Sequence, residues 1–146
     1  MPRLKFERHV RHSPEDMLAL VADVESYPSF VPNCDAMQVR RHDTIPETCD
    51  ARMSIRFGPI AQAYTSRVTI DRNAGTIAAK ALDGPFSHLD SQWRMVAEGQ
   101  GTKVTFEIDF AISNRLIAAV AEPAFAAKQA EIMDAFMAEA DRRFAA

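Results

Sequence analysis

From Val104 to Ile112 the chain alternates without a break. Val104, Phe106, Ile108, Phe110 and Ile112 fall on one side, with Thr105, Glu107, Asp109 and Ala111 on the other. A period of two is the pattern of a strand with one face in a core. Soon afterwards the period changes. Phe125, Gln129, Ile132, Met133, Phe136, Met137, Ala140 and Phe144 recur at helical spacing, while Lys128, Glu131, Asp134, Glu139, Asp141 and Arg142 lie mostly outside that stripe. About twenty helical residues span roughly 30 Å, enough to cross a whole sheet. A one-sided sheet followed by a one-sided helix of that length has one economical solution, in which each buries its apolar face against the other.

The rest of the chain supplies the other strands. Residues 3–11 alternate, with Leu4, Phe6 and Val10 on one face. Ser13-Pro14-Glu15-Asp16 predicts a helix start, since serine caps, proline suits the first helical position and acids complement the dipole. Met17, Leu18, Leu20, Val21 and Val24 then form the stripe of a helix ending near Glu25. The stretch "ESYPSFVPNC" (25–34) follows, and Pro28 and Pro32 each push the preceding residue out of the α region, which predicts repeated turns. Strands are expected over 37–41, over Ala51, Met53, Ile55 and Phe57, and over Tyr64, Ser66, Val68 and Ile70. Two more follow, over 76–82 and through Leu89, Trp93 and Met95, before the strand that ends at Ile112. Gly58-Pro59, "RNAG" (72–75), "DGP" (83–85) and "EGQG" (98–101) separate them. Turns this short exclude parallel crossovers and imply an antiparallel meander. Ser113 is the expected cap of a short helix, "NRLIAAVAE", that Pro123 interrupts before the long one.

The chain of 146 residues is 47% hydrophobic and reads as a single domain over 1–146. Residues 1–72 carry ten acids and ten bases, and residues 73–146 carry ten acids against seven bases. That balance is unlike the basic footprint of a DNA-binding protein. Arg3, Lys5, Arg8, Arg11, Arg40 and Arg41 would make a local basic area if the first two strands lay side by side. Nothing resembles a signal peptide or a spanning helix. Cys34 and Cys49 stand alone, His9, His12, His42 and His88 are scattered at surface or turn positions, and no metal-ligand spacing occurs. Nucleophile-elbow, phosphate-loop and dinucleotide motifs are missing too. No catalytic residue, metal ligand or catalytic cofactor is expected.

A long helix over a curved sheet leaves room for an apolar pocket, of roughly 300–1,000 Å³ in the usual case. The inward positions name its expected lining: Phe30, Met53, Ile55, Tyr64, Phe86, Leu89, Trp93, Met95, Phe106, Ile108, Phe125, Gln129, Met133 and Phe136. Most of these types also serve as ordinary core. Tyr64 and Gln129 are polar groups within the apolar set, either to meet a ligand carbonyl or to be satisfied by backbone or water. Leu116, Ile117 and Val120 are candidates for membrane contact, or for packing on the sheet.

Four segments, "LVADVESYPSFVPNC" (20–34), "GPFSHLDSQWRM" (84–95), "VTFEIDFAISN" (104–114) and "FAAKQAEIMDAFMAEADRRF" (125–144), together resemble the coenzyme Q-binding START-domain family, part of the polyketide cyclase/dehydrase-like helix-grip superfamily. The resemblance implies an α+β helix-grip fold, in which about seven antiparallel strands curve around the C-terminal helix and enclose a hydrophobic tunnel. It implies non-enzymatic binding of ubiquinone or a related isoprenoid lipid, in support of respiratory electron transfer. A bacterial branch implies the alternative of a ribosome-association toxin acting on the large subunit, and the superfamily a third, a cyclase working in the cavity. A bacterial, cytoplasmic protein touching the inner membrane from its cytoplasmic face would fit. Many relatives carry tryptophan where this chain has Asn33.

Overall fold

The computed structural model describes residues 3–43, 47–57 and 60–144, with the side chains of Phe57 and Ile60 outside that description, as is the expected Gly58-Pro59 turn. In chain order the elements are β1 (Arg3–Val10), α1 (Pro14–Ala22), a 3-10 turn (Val24–Ser26), α2 (Tyr27–Phe30), β2 (Cys34–His42), β3 (Glu47–Phe57), β4 (Ile60–Asp71), β5 (Thr76–Ala81), β6 (Phe86–Glu98), β7 (Gly101–Ile112) and α3 (Arg115–Arg143). The seven strands form one curved antiparallel sheet in the order β1-β7-β6-β5-β4-β3-β2. Strands β2 to β7 are the expected meander, and β1 closes it on β7, with Phe6 opposite Phe106.

α1 begins as the sequence predicts, with Ser13 Oγ accepting from the Asp16 amide at 3.1 Å and Pro14 in the first turn. It ends earlier, at Ala22, because the Asp23 backbone leaves the helical region there. The proline-rich stretch is more ordered than a run of turns: Pro28 lies in the first turn of α2, where its missing N–H costs nothing. Two expectations for the last helix are corrected. Its cap is Asn114, whose Oδ1 accepts from the Leu116 and Ile117 amides at 3.0 and 3.3 Å, while the Ser113 amide donates to the Pro85 carbonyl. Nor does Pro123 interrupt it; α3 is continuous over 29 residues. Pro123 and Ala119, whose carbonyl loses its usual donor, both lie on the exposed side, where water reaches the turn.

The long helix is fastened at its end by charge. Glu139 was expected outside the stripe, yet it is buried. Its carboxylate accepts from Arg142 and from Arg143 Nε at 2.7 Å, and Arg143 reaches Asp23 Oδ2 at 2.9 Å beyond the end of α1. His12 is likewise buried rather than superficial, with Nε2 at 2.7 Å from Asp141 Oδ1. These pairs pin the end of α3 to the segments on either side of α1.

The hydrogen bonds from Arg142 and Arg143 hold the Glu139 carboxyl down at about 2, against an ordinary 4.5. A lowered folded-state pKa contributes stability that is present above the unfolded value and lost as pH falls toward the folded one. Urea midpoints are therefore expected to fall between about pH 4.5 and pH 2, and Glu139→Gln to flatten part of that decline. An equal slope in both proteins would show that the pairing adds nothing.

Candidate functional site

Inward-facing side chains of the central strands run in rows across the sheet. One row carries Ala51 and Ser66 side by side on β3 and β4; the next carries Val68, Ala79, Ser91 and Ile108 on β4 to β7. Ala51, Ser66, Ala79 and Ser91 are too small to fill the space beneath α3. On either side of this floor stand large rings. Toward the start of α3, Phe125 packs on Phe86 and Phe110 at centroid distances of 5.3 and 4.7 Å, and Phe86 packs on Tyr64 at 5.1 Å. Toward its end, Phe136 meets Trp93, Tyr27 and Phe30 at 4.8, 5.1 and 5.1 Å. Phe125 and Phe136 lie eleven residues apart, roughly 16 Å along the helix axis. Between these two aromatic supports the helix spans a cavity of about 140 Å³.

Ten of the fourteen expected lining residues border that cavity: Met53, Ile55, Tyr64, Leu89, Trp93, Phe106, Ile108, Phe125, Gln129 and Phe136. Four do not. Phe30 and Phe86 stand behind the lining as members of the two aromatic clusters. Met133 is fully buried one position round the helix from Ile132, which takes the lining place. Met95 lies one strand step beyond Trp93, opposite Val104, in solid core. Sequence reasoning missed the small floor residues, although Ala and Ser at inward strand positions were the available signal. The proline-rich stretch, expected at the cavity through Phe30, reaches its wall instead through Tyr27, Val31, Pro32, Asn33 and Cys34.

That stretch is held by backbone. The Asn33 carbonyl accepts from the Arg56 amide at 2.9 Å, and Asn33 itself has φ +69°. Asparagine tolerates this left-handed conformation better than a bulky residue does, which gives a local reason for Asn33 at this position. Gly84 is constrained in a related way: its φ is +94° and an added Cβ would lie 2.4 Å from the Tyr64 Cβ. The β5–β6 loop thus sits directly against Tyr64.

The polar groups of the cavity are few. Tyr64 is buried and, among the described residues, its hydroxyl donates only to the weak thioether acceptor Met53 Sδ, at 3.8 Å. Burial pushes its phenol well above the ordinary tyrosine range, so it stays protonated as a donor. Gln129 is also buried; its amide donates to the Phe125 carbonyl at 3.1 Å, the backbone alternative weighed for it. Ser66 and Ser91 contribute hydroxyls, and Lys128, paired with Glu131 at 3.0 Å, stands at the edge. Burial raises the Cys34 thiol to about 11, which leaves it protonated and a poor nucleophile. No carboxylate or imidazole lines the cavity among the described residues, and no cluster of potential metal ligands occurs among them.

Residues 10–137 match the family model described as polyketide cyclase/dehydrase and lipid transport. The chain belongs to that family. It is 29% identical over 147 aligned positions to the ribosome association toxin RatA of Escherichia coli K12, covering all of this chain and 91% of that one. It is 25% identical over 141 positions to the mitochondrial coenzyme Q-binding protein coq10 of Schizosaccharomyces pombe, covering 93% and 85%. The aromatase/cyclase ZhuI from Streptomyces sp. R1128 superposes with a TM-score of 0.87 at 17% identity, covering 99% and 96%, a likeness of fold alone. The helix-grip architecture is thus shared with that protein.

The floor can be filled. Ala79→Leu sets an isopropyl group on the Cβ and directs it into the void. Thermal unfolding is expected to stay within about 1.5 kcal/mol of the parent, because the space exists, while uptake of an apolar probe is lost. Retained uptake would show that the space beneath α3 is not where ligands go.

Proposed function

We propose that this protein is a non-enzymatic carrier or chaperone for a hydrophobic ligand of the quinone class, ubiquinone or a related isoprenoid lipid, in support of respiratory electron transfer. The observation that carries the reading is Tyr64: a buried, protonated phenol whose partner among the described residues is a thioether, set in a largely apolar cavity. A buried hydroxyl gains by exchanging that contact for a carbonyl oxygen. A quinone offers a flat apolar ring with carbonyls at its rim, and the likeness to coq10 points the same way.

Size refines the picture. The cavity's 140 Å³ is less than expected, room for about one ring rather than a whole isoprenoid. The ring would occupy the space between the aromatic supports, and the tail would leave past the 31–34 loop and Lys128. Absence of acid and imidazole from the described lining favours binding over the third reading, a cyclase, which rests on fold alone. Quinone would then be cargo, with no catalytic cofactor.

Native mass spectrometry with organic extraction, on protein purified from its host without detergent, is expected to find a stoichiometric quinone. Tyr64→Phe should weaken its binding about fivefold, the worth of one hydrogen bond, and Gln129→Leu should weaken it less, since that amide already has a backbone partner. Protein that retains no quinone and takes none up would overturn the reading.

Ribosome association is the second reading, favoured by the full-length likeness to RatA. The surface gives it little help. β1 and β2 are the two opposite edges of the sheet, so Arg3, Lys5, Arg8, Arg40 and Arg41 form no single area. Lys5 pairs with Glu7, Arg8 with Asp134 and Arg41 with Glu25. One row on the outer face reads Arg3, Asp109, Asp90, Lys80, Arg67, Asp50, Arg40 across all seven strands, mixing signs where a phosphate backbone would want one. Over-expression is expected to leave sucrose-gradient ribosome profiles unchanged; a loss of assembled ribosomes would establish the second reading instead.

A further inference from the structure

The polar groups facing the cavity differ in how firmly their hydrogens are placed. Tyr64, Ser66 and Ser91 carry hydroxyls, which rotate to donate or to accept as a ligand requires. The Cys34 thiol is turned to the Ala36 carbonyl at 3.8 Å, and Lys128 is held at the edge by Glu131. Gln129 is different, because its amide is not free to turn. The Phe125 carbonyl is an acceptor, so only the NH2 side of the amide can face it, as it does at 3.1 Å. That bond leaves Oε1 on the other side of the group, as a fixed acceptor.

Gln129 is 3% exposed and lines the cavity, and its Oε1 has no hydrogen-bond partner among the described residues. The oxygen is not walled in by protein. Its place on α3 leaves the cavity as the source of a partner. One turn before it Phe125 closes the helix onto Phe86 and Phe110, and about two turns after it Phe136 closes the helix onto Trp93. The first turns of α3 stand apart from this space: Leu116, Ile117 and Val120 are exposed there, and the expectation that they pack on the sheet is corrected. A buried amide oxygen needs a donor. A ligand that brings one satisfies Oε1, whereas a ligand with acceptors alone expels water from the cavity and leaves the bond unmade.

We infer that the cavity selects the reduced, hydroxyl-bearing form of its ring over the oxidised form, and that Gln129 is the residue that tells the two apart. The inference rests on the quinone-class reading of the same cavity. A quinone presents carbonyl oxygens, which the Tyr64 and serine hydroxyls can meet but which Gln129 Oε1 repels. The corresponding hydroquinone carries two added hydrogens on those oxygens, so a ring hydroxyl donates to Oε1 and the ring oxygens still accept from Tyr64. Oxidation removes the donor and loosens the hold. A carrier of this kind is loaded where a reaction of the dehydrogenase class reduces the ring, and emptied where an oxidising reaction consumes it.

Anaerobic titration calorimetry with duroquinone and duroquinol tests it; every ring carbon of this pair is substituted, so no thiol adds to the ring. The parent protein is expected to bind duroquinol at least about tenfold more tightly, the effect of one buried acceptor left unmade. Gln129→Met, close in shape but without the amide, should weaken duroquinol alone and bring the two affinities to within about twofold. Tyr64→Phe should weaken both forms alike and keep their ratio, because a rotating hydroxyl serves either. Equal affinities in the parent, tighter binding of duroquinone, or a preference that survives in Gln129→Met would each overturn the inference and leave the carrier reading standing. A Gln129→Met variant that loses both forms would overturn it too, by making the role structural. Binding of neither form by the parent would overturn the inference and, with no quinone retained from the host, the carrier reading as well.

Discussion

The molecule depends on a mismatch between its two layers. α3 carries large rings at Phe125 and Phe136, and each lands on other rings rooted in the sheet, Phe86 with Phe110 at one end and Trp93 at the other. Between them the sheet presents alanine and serine. Protein interiors close to near-crystalline density wherever side chains allow it. Here two rigid supports hold the helix at ring height above residues that cannot rise to meet it, and the gap remains. The cavity is thus a consequence of where bulk was placed.

Holding such a gap open takes fastening at the margins, since nothing inside it pulls the layers together. The far end of α3 is fixed by Glu139, Arg142, Arg143 and Asp23, with His12 and Asp141 beside them. Arg143 also stands 5.7 Å over the Phe30 ring, so the same residue ties the ionic cluster to the aromatic one. The near end is closed by loops: Asn33 turns the chain in its left-handed conformation, and Gly84 lets the β5–β6 loop approach Tyr64 more closely than a residue with a Cβ would permit. Fastened at one end by charge and closed at the other by backbone, the cavity opens most readily on the loop side. That is also the side with the exposed apolar residues.

The cavity is a largely apolar space with one under-employed phenol. The outer face, by contrast, carries a row of charges of both signs across all seven strands, which builds no field of one sign. Cavity lining and surface charge are therefore separated onto opposite faces of the same strands, as a two-residue period allows.

Much of this was legible in the chain. The alternation in each strand set the inner face, short turns dictated a meander, and helical spacing put Phe125, Gln129 and Phe136 on one stripe, because these patterns are local and repeat within a few residues. The cap at Asn114, the continuity of α3 past Pro123 and the burial of Glu139 were not, since each depends on what lies outside the helix. Inward alanines and serines were visible too, but a small residue means a cavity only when no neighbour across the interface is large. The same holds for Leu116, Ile117 and Val120, whose sequence suits packing and exposure equally. Sequence by itself determined the faces. Only the tertiary structure decided where those faces fail to touch, because a void and an exposed patch are defined by absent partners, and partners distant in the chain are brought together only by folding.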